Sequence, residues 1–567
     1  MVKIHYFWAS SLEKVFPDQC PARWEETPEL TILQGETPAL QLVYCRCEEI
    51  PGNRRPAIAI RCSGSPVPVR LRPVELIPGT FPAYDQADEN YLTVKPGLFP
   101  DLLTDMPQRG LPVPLNQYRS VWVDIPGTDQ LAPGEYSITF TIGTLDPSQP
   151  GTSLEQTEDP LAGELKLTLR ILPGRLPDQT LLHTEWFHAD CLADYYHVPV
   201  FSEEHWNAIE QQIALAAQEL RVNVLLTPVF TPPLDTAVGG ERTTVQLVDV
   251  FFQNGKYFFG WEKLRRWCGL CRKYGIRMLE IAHLFTQWGA LYTPKIIVRD
   301  GSGDVRKFGW HVRADSPEYR EFLEAFLPAL RRELAGMGYP DSQVLYHISD
   351  EPNDKQEESY RRARDVVLDL LDGCVVIDAL SDYSFYQKGL VEHPVPSNNH
   401  IQDFLDHSVP DLWVYYCCAQ YKDVPNRFFA MPSARNRIMG LLCYLHGIKG
   451  FLHWGYNFYN SALSVEHIDP YFCTHGGCAF PSGDPFLVYP GPDGRPYSSI
   501  RAEVQRLGLD DMRALQLLEQ LTSREHVLSL IYEGQDAPFT FDHYPHSPDY
   551  LLSLSRRVHQ ALAASLP

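Results

Sequence analysis

The sequence lacks the features that mark membrane-spanning and exported proteins. No segment approaches the run of about 18 apolar residues that a membrane-spanning helix needs. The N-terminal segment has no sustained apolar stretch of the kind that a signal peptide requires, and Glu13, Lys14 and Asp18 follow early. We therefore expect a cytoplasmic protein that has no membrane partner.

Positive charge is scarce relative to negative charge. The 567 residues include 49 Lys and Arg against 71 Asp and Glu, so the formal net charge is −22. Long-range repulsion of this kind opposes binding to a nucleic-acid backbone or to an anionic membrane. The charge is compatible with a neutral substrate. The sequence leaves both a monomer and a homo-oligomer open.

The cysteines lack the spacing of a zinc site. Thirteen are scattered along the chain, and no second pair is placed to complete a four-ligand set with Cys268 and Cys271. His188, Asp190 and His283 are further candidate ligands, but no neighbouring pattern supports a metal there. We expect reduced, partly buried thiols, with neither a metal nor a cofactor.

Two hydrophobic patterns divide the chain. Up to about residue 173, short alternating segments are separated by Pro, Gly and Asn, which predicts an antiparallel β-sandwich. Within it, residues 146–164 are expected to form a solvated hairpin loop. The stretch "LPGRLPDQT" contains two prolines and a glycine and marks the boundary. The predicted domains are therefore residues 1–174 and 175–567.

The second pattern is an alternation of apolar strands with longer amphipathic helices. Eight strand candidates follow one another: "LLHTEWFH", "NVLLTPVF", "IRMLEIAHLF", "QVLYHISD", "CVVIDALSD", "GLVEHPVPS", "DLWVYYCC" and "KGFLHWGYNF". Ser202 and Ser316 are placed to cap two of the helices, and Pro317 suits a first turn. Asn254-Gly255 predicts the turn of a hairpin inserted after the second strand. Eight strands with crossover helices predict an α/β fold, a (β/α)8 barrel of the TIM type with closing C-terminal helices.

Aromatic and polar side chains gather at the ends of these strands, where the catalytic groups of such barrels stand. Sugar rings stack on aromatic faces through their C–H groups, while their hydroxyls bond to polar side chains. Any one of these residues is also explained by packing or by a structural hydrogen bond. The hypothesis of a sugar-binding site therefore depends on their occurring together at one end of the barrel. The candidate substrate-binding residues are Trp186, His188, His283, Trp288, Asp382, Tyr383, Trp413, Tyr415, Tyr416, Trp454 and Tyr456.

Two adjacent carboxylates end the fourth strand candidate, in "QVLYHISDEPND". Because side chains alternate along a strand, Leu345, His347 and Glu351 are predicted to face the barrel interior, and Tyr346 to face the helices. The bend at the strand tip can bring Asp350 beside Glu351. Two carboxylates this close cannot both ionise freely, so one pKa is raised into the range of a general acid at neutral pH.

Sequence neighbours approach a substrate from the same rim. They cannot readily flank a glycosidic bond from opposite sides at about 5 Å, as a retaining nucleophile and acid do. This favours a mechanism in which a 2-acetamido group of the substrate attacks, Asp350 orients it and Glu351 acts as acid and base. Two alternatives remain open. A carboxylate such as Glu280 or Asp378 could be the nucleophile on sugars that lack an acetamido group, or the protein could bind carbohydrate without catalysis.

At these residues the sequence resembles glycoside hydrolase family 123 and related chains that carry the glycoside-hydrolase-like domain of unknown function 4091. The resemblance covers residues from about 181 to 520. Its matching pieces are "HTEWFHADCLADYY", "EIAHLFTQWGALYTPKI", "YHISDEPN", "DLWVYYCC", "GFLHWGYNFY" and "GDPFLVYPGPDGRPYSSIRAEVQRLGLDD". A sandwich ahead of a barrel is also similar to the family arrangement.

The resemblance implies an exo-acting β-N-acetylgalactosaminidase that cleaves an oligosaccharide or glycoside by substrate assistance. Asp350 would stabilise the oxazolinium ion, and Glu351 would be the acid and base. This sequence has residues of the same type as the aromatic residues that form a wall of the family's site. Tyr415 or Tyr416 is expected to place a hydroxyl on the acetamido oxygen. The sequence does not distinguish the galacto from the gluco configuration of the sugar.

Overall fold

The computed structural model describes residues 4–49, 56–144 and 161–566, and its N-terminal part consists of β-strands. These strands are β1 Ile4–Ser10, β2 Glu29–Gln34, β3 Ala39–Arg46, β4 Ala57–Ser63, β5 Arg70–Gly79, β6 Gly97–Leu103, β7 Leu111–Pro112, β8 Tyr118–Asp124, β9 Gly134–Thr144 and β10 Gly163–Arg175. They form two five-stranded sheets, ordered β1-β3-β8-β5-β6 and β2-β10-β9-β4-β7.

The two N-terminal sheets share one hydrophobic core, to which Leu42 and Val121 of the first sheet and Phe140 and Leu167 of the second contribute. Pairing is antiparallel as predicted, with one exception, because β2 runs parallel to its neighbour β10. The predicted loop 146–164 falls largely on residues 145–160, which lie outside the described ranges.

Strands and helices alternate from Leu182 onwards. The elements are β11 Leu182–Glu185, α1 Ala189–Tyr196, α2 Glu203–Ala214, β12 Val224–Thr227, β13 Asp249–Gln253, β14 Lys256–Gly260, α3 Glu262–Tyr274, β15 Met278–Ile281, β16 Ile296–Asp300, β17 Gly303–Phe308, α4 Pro317–Gly336, β18 Val344–Tyr346, α5 Glu357–Val367, β19 Val375–Leu380, α6 Tyr383–Gln387, β20 His393–Pro396, α7 Gln402–Asp406, β21 Trp413–Tyr415, α8 Ser433–Leu445, β22 Gly450–His453, β23 Tyr489–Pro490, β24 Pro496–Tyr497, α9 Ile500–Leu521, α10 Arg524–Ile531 and α11 Pro548–Ser565.

Eight of these strands form one parallel sheet in the order β20-β19-β18-β15-β12-β11-β22-β21. A parallel bridge between Ser397 and Tyr415 joins the two ends, supported by a hydrogen bond of 2.9 Å from the Asn398 N–H to the Tyr415 carbonyl. The sheet is therefore a nearly closed barrel. Its strands coincide with the eight apolar segments predicted from the sequence.

Local signals also set the ends of the helices. The Ser202 side chain accepts a hydrogen bond from the His205 N–H at the start of α2, and Ser316 does the same for Tyr319 at the start of α4. Pro317 occupies the first turn of α4, where a missing N–H costs nothing. All thirteen cysteines are free thiols, and three of them, Cys20, Cys47 and Cys478, are exposed rather than partly buried.

Two hairpins pack beside each other on the barrel. The predicted one joins β13 to β14 through Asn254 and Gly255, both at positive φ. A second hairpin, β16–β17, was not predicted, although its connection holds an Asp300-Gly301 turn signal. The two hairpins form one four-stranded sheet, ordered β14-β13-β16-β17.

Buried ion pairs connect the N-terminal sheets to α9. Arg72 of β5 contacts Glu503 at 2.7 Å, and Asp101 of β6 contacts Arg501 at 2.8 Å. The domain boundary at residue 174 stays a prediction. Among the helices of the described ranges, none is both long enough and apolar enough to cross a membrane.

Candidate active site at the mouth of the barrel

The side chains of β18 alternate as the sequence predicts. Leu345 packs inside the barrel with Trp186 and Trp413, whereas Tyr346 and Ile348 pack in the outer core with the helices. Asp350 and Glu351 come shortly after this strand, at the mouth of the barrel.

The backbone fixes the position of the two carboxylates. The Asp350 carbonyl accepts a hydrogen bond of 3.0 Å from the Trp288 N–H, and the Glu351 N–H donates one of 3.1 Å to the Ala379 carbonyl. Glu351 has a φ of 43°, a left-handed conformation that is costly for a residue with a long side chain. Strain of this kind concentrates at functional sites, where the surrounding structure enforces it.

A pocket that is partly open to solvent lies over this strand tip, with room for the centres of water-sized molecules over about 110 Å³. Its walls combine aromatic and apolar side chains with a few acids, the usual composition of a small-molecule site. The lining residues are Trp186, His188, Leu234, Asp235, Gln287, Trp288, Asp350, Glu351, Ala379, Tyr415, Cys417, Cys418, Leu452, Trp454 and Phe480. Seven of the residues predicted from the sequence are among them: Trp186, His188, Trp288, Asp350, Glu351, Tyr415 and Trp454.

The pocket favours the protonated forms of its acids. Burial, with the charge of Glu351 next in effect, raises the pKa of Asp350 well above its usual range. Burial also raises the pKa of Glu351, and the hydrogen bond from Tyr415 opposes this shift. The pair therefore titrates as a unit that retains a proton at higher pH than an isolated carboxyl group.

His188 and Trp454 form one wall of the pocket. The His188 Nε2 atom lies 2.9 Å from the Trp454 carbonyl, and Nδ1 lies 3.0 Å from an Arg242 nitrogen. Burial, followed by the charge of Arg242, lowers the pKa of His188 to about 3. The imidazole is therefore neutral, with its proton on Nε2. Arg242 also binds both carboxylate oxygens of Asp190 at 2.7 Å, so His188 and Asp190 share a guanidinium partner.

Six predicted substrate-binding residues do not line the pocket, and three of them lie in the segments that follow β15 and β19. His283 is buried under the pocket, where its ring stacks on His347 at a centroid distance of 4.2 Å. Asp382 accepts a hydrogen bond from the Ser384 N–H and so caps α6. Tyr383 begins that helix and stacks on His407, away from the mouth.

The other three are Trp413, Tyr416 and Tyr456. Trp413 faces inward but lies one layer deeper than Tyr415, over Gly450, where a Cβ atom would come within 1.9 Å of its ring. Tyr416 is the next residue after the inward-facing Tyr415, so alternation turns it to the outer core. Tyr456 is also buried in the outer core and donates its hydroxyl to the Gln212 carbonyl of α2.

Sequence reasoning missed several residues of the pocket, most notably Asp235 and Phe480. Both come from long connections after β12 and β22, whose path a hydrophobic pattern does not define. The Asp235 Oδ2 atom accepts a hydrogen bond of 3.0 Å from the Leu463 N–H, and burial raises the pKa of Asp235 to about 6. The turn signals "PPLD" and "PSGD" were the available clues to these loops.

Glu280 and Asp378, the alternative nucleophiles, lie beneath the pocket rather than on its wall. Both are fully buried, and His347 bridges them, with Nε2 at 2.6 Å from Glu280 and Nδ1 at 3.3 Å from Asp378. Within the part of the chain that the structure describes, no group of three His, Cys, Asp or Glu side chains has the arrangement of a metal site.

Comparison with known proteins identifies the family. The model of the glycoside hydrolase 123 catalytic domain matches residues 186–518, which is more than half of the chain. This protein belongs to glycoside hydrolase family 123. The match begins directly after β11, spans the barrel strands from β12 through β22 and includes the strand tip that carries Asp350 and Glu351. Family 123 membership makes this protein a glycosidase that acts on a carbohydrate substrate.

A solved structure supports the fold of this family 123 chain. A family 123 glycoside hydrolase from Clostridium perfringens, described as hydrolysing glycolipid glycans, superposes with a TM-score of 0.70 at 13% identity, over 99% of this chain and 97% of that one. An endo-β-1,4-mannanase from Thermotoga petrophila gives a TM-score of only 0.32 at 11% identity, over 60% of this chain and 78% of that one. No curated protein sequence matches the chain.

Proposed function

We propose that this protein is an exo-acting β-N-acetylgalactosaminidase that hydrolyses its substrate by assistance from the 2-acetamido group, with retention of configuration. The observation that supports this most is the placement of carboxylates. Asp350 and Glu351 line the pocket side by side, whereas Glu280 and Asp378 are fully buried below it. An adjacent pair acting from one rim suits a nucleophile that belongs to the substrate.

In the first step, the acetamido carbonyl oxygen attacks the anomeric carbon and Glu351 protonates the departing glycosidic oxygen. Asp350 accepts the amide N–H and stabilises the positive charge that develops on the resulting oxazolinium ring. In the second step, Glu351 removes a proton from water, which attacks the anomeric carbon and reopens the ring. Two inversions at one carbon give net retention.

The architecture also fits exo action. We interpret the parallel barrel as a TIM-type barrel and the N-terminal sheets as a β-sandwich. Side chains inside the barrel, such as Leu345 and Trp413, fill the space below the pocket. One sugar ring at the end of a chain can enter such a pocket, whereas an internal sugar would need an open cleft.

A panel of p-nitrophenyl glycosides tests the proposal. We expect cleavage of the β-N-acetylgalactosaminide and no cleavage of the plain β-galactoside, with the β-N-acetylglucosaminide included to define the sugar. Glu351→Gln and Asp350→Asn should each lower kcat by about 100-fold or more for the nitrophenyl substrate. Sugar binding without turnover, unaffected by Glu351→Gln, would indicate a carbohydrate-binding protein instead.

A cyclic inhibitor separates the two enzymatic mechanisms. A sugar thiazoline resembles the oxazolinium ion, so it should inhibit in the micromolar range or better and bind less tightly to Asp350→Asn. If the plain galactoside is cleaved and the thiazoline does not inhibit, an enzyme carboxylate is the nucleophile. A cytoplasmic location, with short imported oligosaccharides as substrates, stays a prediction. A glycolipid glycan, the kind of substrate described for the Clostridium perfringens enzyme, belongs in the same panel.

A further inference from the structure

A buried network lies directly beneath the two pocket carboxylates, and the hydrolytic mechanism does not use it. Asp378 of β19 is its centre. The Oδ1 atom of Asp378 accepts hydrogen bonds from the backbone N–H groups of Ile348 at 3.0 Å and Ser349 at 3.3 Å. These are the two residues that immediately precede Asp350. A side chain of one strand therefore holds the backbone of the neighbouring strand tip, where regular pairing of the strands has ended.

Asp378 is itself held from two sides. Its Oδ2 atom accepts a hydrogen bond of 2.5 Å from the hydroxyl of Tyr360, a fully buried residue on α5. The His347 Nδ1 atom lies 3.3 Å from Oδ1. The chain thus leaves the strand tip, forms α5 and β19, and returns the Asp378 side chain, held by Tyr360, to the backbone of that tip.

His347 extends the network to the opposite wall of the pocket. Its Nε2 atom lies 2.6 Å from Oε1 of Glu280, which also accepts a hydrogen bond of 2.7 Å from the indole of Trp186. Burial alone would lower the pKa of His347, but the hydrogen bonds to Asp378 and Glu280 raise it to about 9. At neutral pH the imidazolium therefore bonds to both carboxylates and connects the strand tip to an aromatic wall residue.

The same tip is fixed on its other edge by the segment after β15. The Ser349 hydroxyl donates to the Thr286 carbonyl at 2.9 Å, and the Phe285 N–H donates to the Ile348 carbonyl at 3.2 Å. Both neighbouring strands therefore hold residues 348–349, and Glu351 is strained at a φ of 43° just beyond them. A strained conformation persists only where such contacts enforce it.

We propose that Asp378, held by Tyr360 and linked through His347 to Glu280, is a positioning residue that keeps Asp350 and Glu351 in their reactive geometry. It does not touch the substrate. This inference rests on the proposed function only in taking Asp350 and Glu351 as the reacting carboxylates. Misplacement of a reacting group by about 1 Å can lower a rate by about 100-fold, so such a network is expected to act on kcat.

Two buried tyrosines supply a matched pair of variants. Tyr360→Phe removes the hydroxyl that holds Asp378. Tyr346→Phe removes a buried hydroxyl of β18 that has no hydrogen-bond partner among the described residues. Asp378→Ala would leave the Tyr360 hydroxyl and the His347 Nδ1 atom without this partner and risks unfolding the barrel, so Tyr360→Phe is the decisive variant. Circular dichroism and thermal unfolding verify that both variants fold.

Hydrogen exchange of the peptide covering residues 344–351 gives a readout that needs no substrate. Tyr360→Phe should speed the exchange of this peptide by about tenfold or more, while Tyr346→Phe should leave it as in the wild type. If both variants exchange like the wild type, Asp378 does not depend on Tyr360 to hold the tip, and the proposal is wrong. This result is obtained whether or not the proposed sugar specificity is correct.

Kinetics then separate positioning from simple structural support. On whichever glycoside the wild type cleaves, Tyr360→Phe should lower kcat by about tenfold to 100-fold, with KM changed less than about threefold. Tyr346→Phe should leave both constants unchanged. A Tyr360→Phe variant with a lower unfolding temperature, faster exchange and an unchanged kcat would show a structural role alone and overturn the proposal. Failure of the wild type on acetamido glycosides would count against the proposed function only.

Discussion

The hydroxyl of Tyr415 donates a hydrogen bond of 2.5 Å to the Oε1 atom of Glu351. This bond crosses the mouth of the barrel from β21 to the tip after β18. It favours the ionised form of Glu351 and so opposes the effect of burial on the pKa of that carboxyl group. In the proposed mechanism, Tyr415 thereby helps to set the pH range in which Glu351 acts first as an acid and then as a base.

Replacing Tyr415 by Phe should therefore widen the alkaline side of the pH profile. Without the hydrogen bond, the pKa of Glu351 rises further, so the acid stays protonated to higher pH. We therefore expect the alkaline limb of kcat/KM to move to higher pH than in the wild type. The profile is measured on a 2-acetamido aryl glycoside.

Tyr416→Phe is the matched control for this variant. Tyr416 is adjacent in sequence and fully buried, but its hydroxyl faces the outer core and has no hydrogen-bond partner in the described structure. Its pH profile should coincide with that of the wild type. A downward shift of the alkaline limb in Tyr415→Phe would contradict the assigned role of the bond.

The barrel was predictable because each of its strands is a short apolar run that ends at a clear signal. In β18 the run ends before Pro352, and alternation along it correctly separated Leu345 from Tyr346. The same alternation, applied to β21, would have excluded Tyr416 and retained Tyr415. Depth within the barrel was not predictable, so the burial of Trp413 one layer below Tyr415 appears only in three dimensions.

Long connections account for most of what the sequence did not predict in the site. Asp235 and Phe480 reach the pocket on the long connections that follow β12 and β22, and no residue period predicts the path of such a loop. The connection of β16 to β17 has only two residues, Gly301 and Ser302, but the hydrophobic pattern around it was interpreted in terms of helices alone. Local chemistry therefore predicted which strand tip carries the acids, while the loops that complete the pocket required the structure.

Trp288 is expected to bind the leaving group rather than the sugar in the pocket. Its side chain is 43% exposed, compared with 3% for Trp186, and it belongs to the rim. Trp288→Ala should raise KM by about threefold to tenfold for a disaccharide or aryl glycoside, because one aromatic stacking contact is lost. The effect should be absent with a methyl glycoside.

Comparing the effect of Trp288→Ala on methyl and aryl glycosides tests whether Trp288 binds the leaving group. An equal loss of affinity for the methyl and aryl glycosides would place Trp288 on the sugar ring instead. Phe472→Ala is a suitable control, since Phe472 is an even more exposed aromatic residue, at 73%, and does not line the pocket.

Asp235 should influence the acid pair through its charge. Although burial and Glu351 have larger effects, Asp235 also raises the pKa of Asp350. Asp235→Asn removes this charge, so the carboxylate pair should lose its protons at lower pH. The alkaline limb of kcat/KM should then move down, opposite to the shift expected for Tyr415→Phe. The acid limb should move less, because the pKa of Asp235 is about 6 and the residue is largely neutral below that pH.

Asp536→Asn removes one negative charge from an exposed loop outside the pocket and serves as the control. Its pH profile should match that of the wild type, since exposed charges at a distance are screened by salt. Identical profiles for the wild type and Asp235→Asn would show that Asp235 does not couple to the pair.

His559 of α11 should make stability depend on pH. Its Nε2 atom lies 3.0 Å from Oε1 of Glu36, which follows β2, so the pair connects the C-terminal helix to the N-terminal sheets. Burial opposes protonation, but Glu36 raises the pKa of His559 to about 9. Because the folded-state pKa lies above the unfolded value of about 6.5, the stabilisation is complete below pH 6.5 and is lost as the pH rises through 9. The upper bound of this stabilisation is about 3 kcal/mol.

The unfolding temperature measured between pH 6.5 and 9 tests this linkage. For the wild type it should fall more steeply with pH than for His559→Gln. The control His526→Gln, at an exposed site on α10, should follow the wild type. Parallel curves for the wild type and His559→Gln would exclude this linkage.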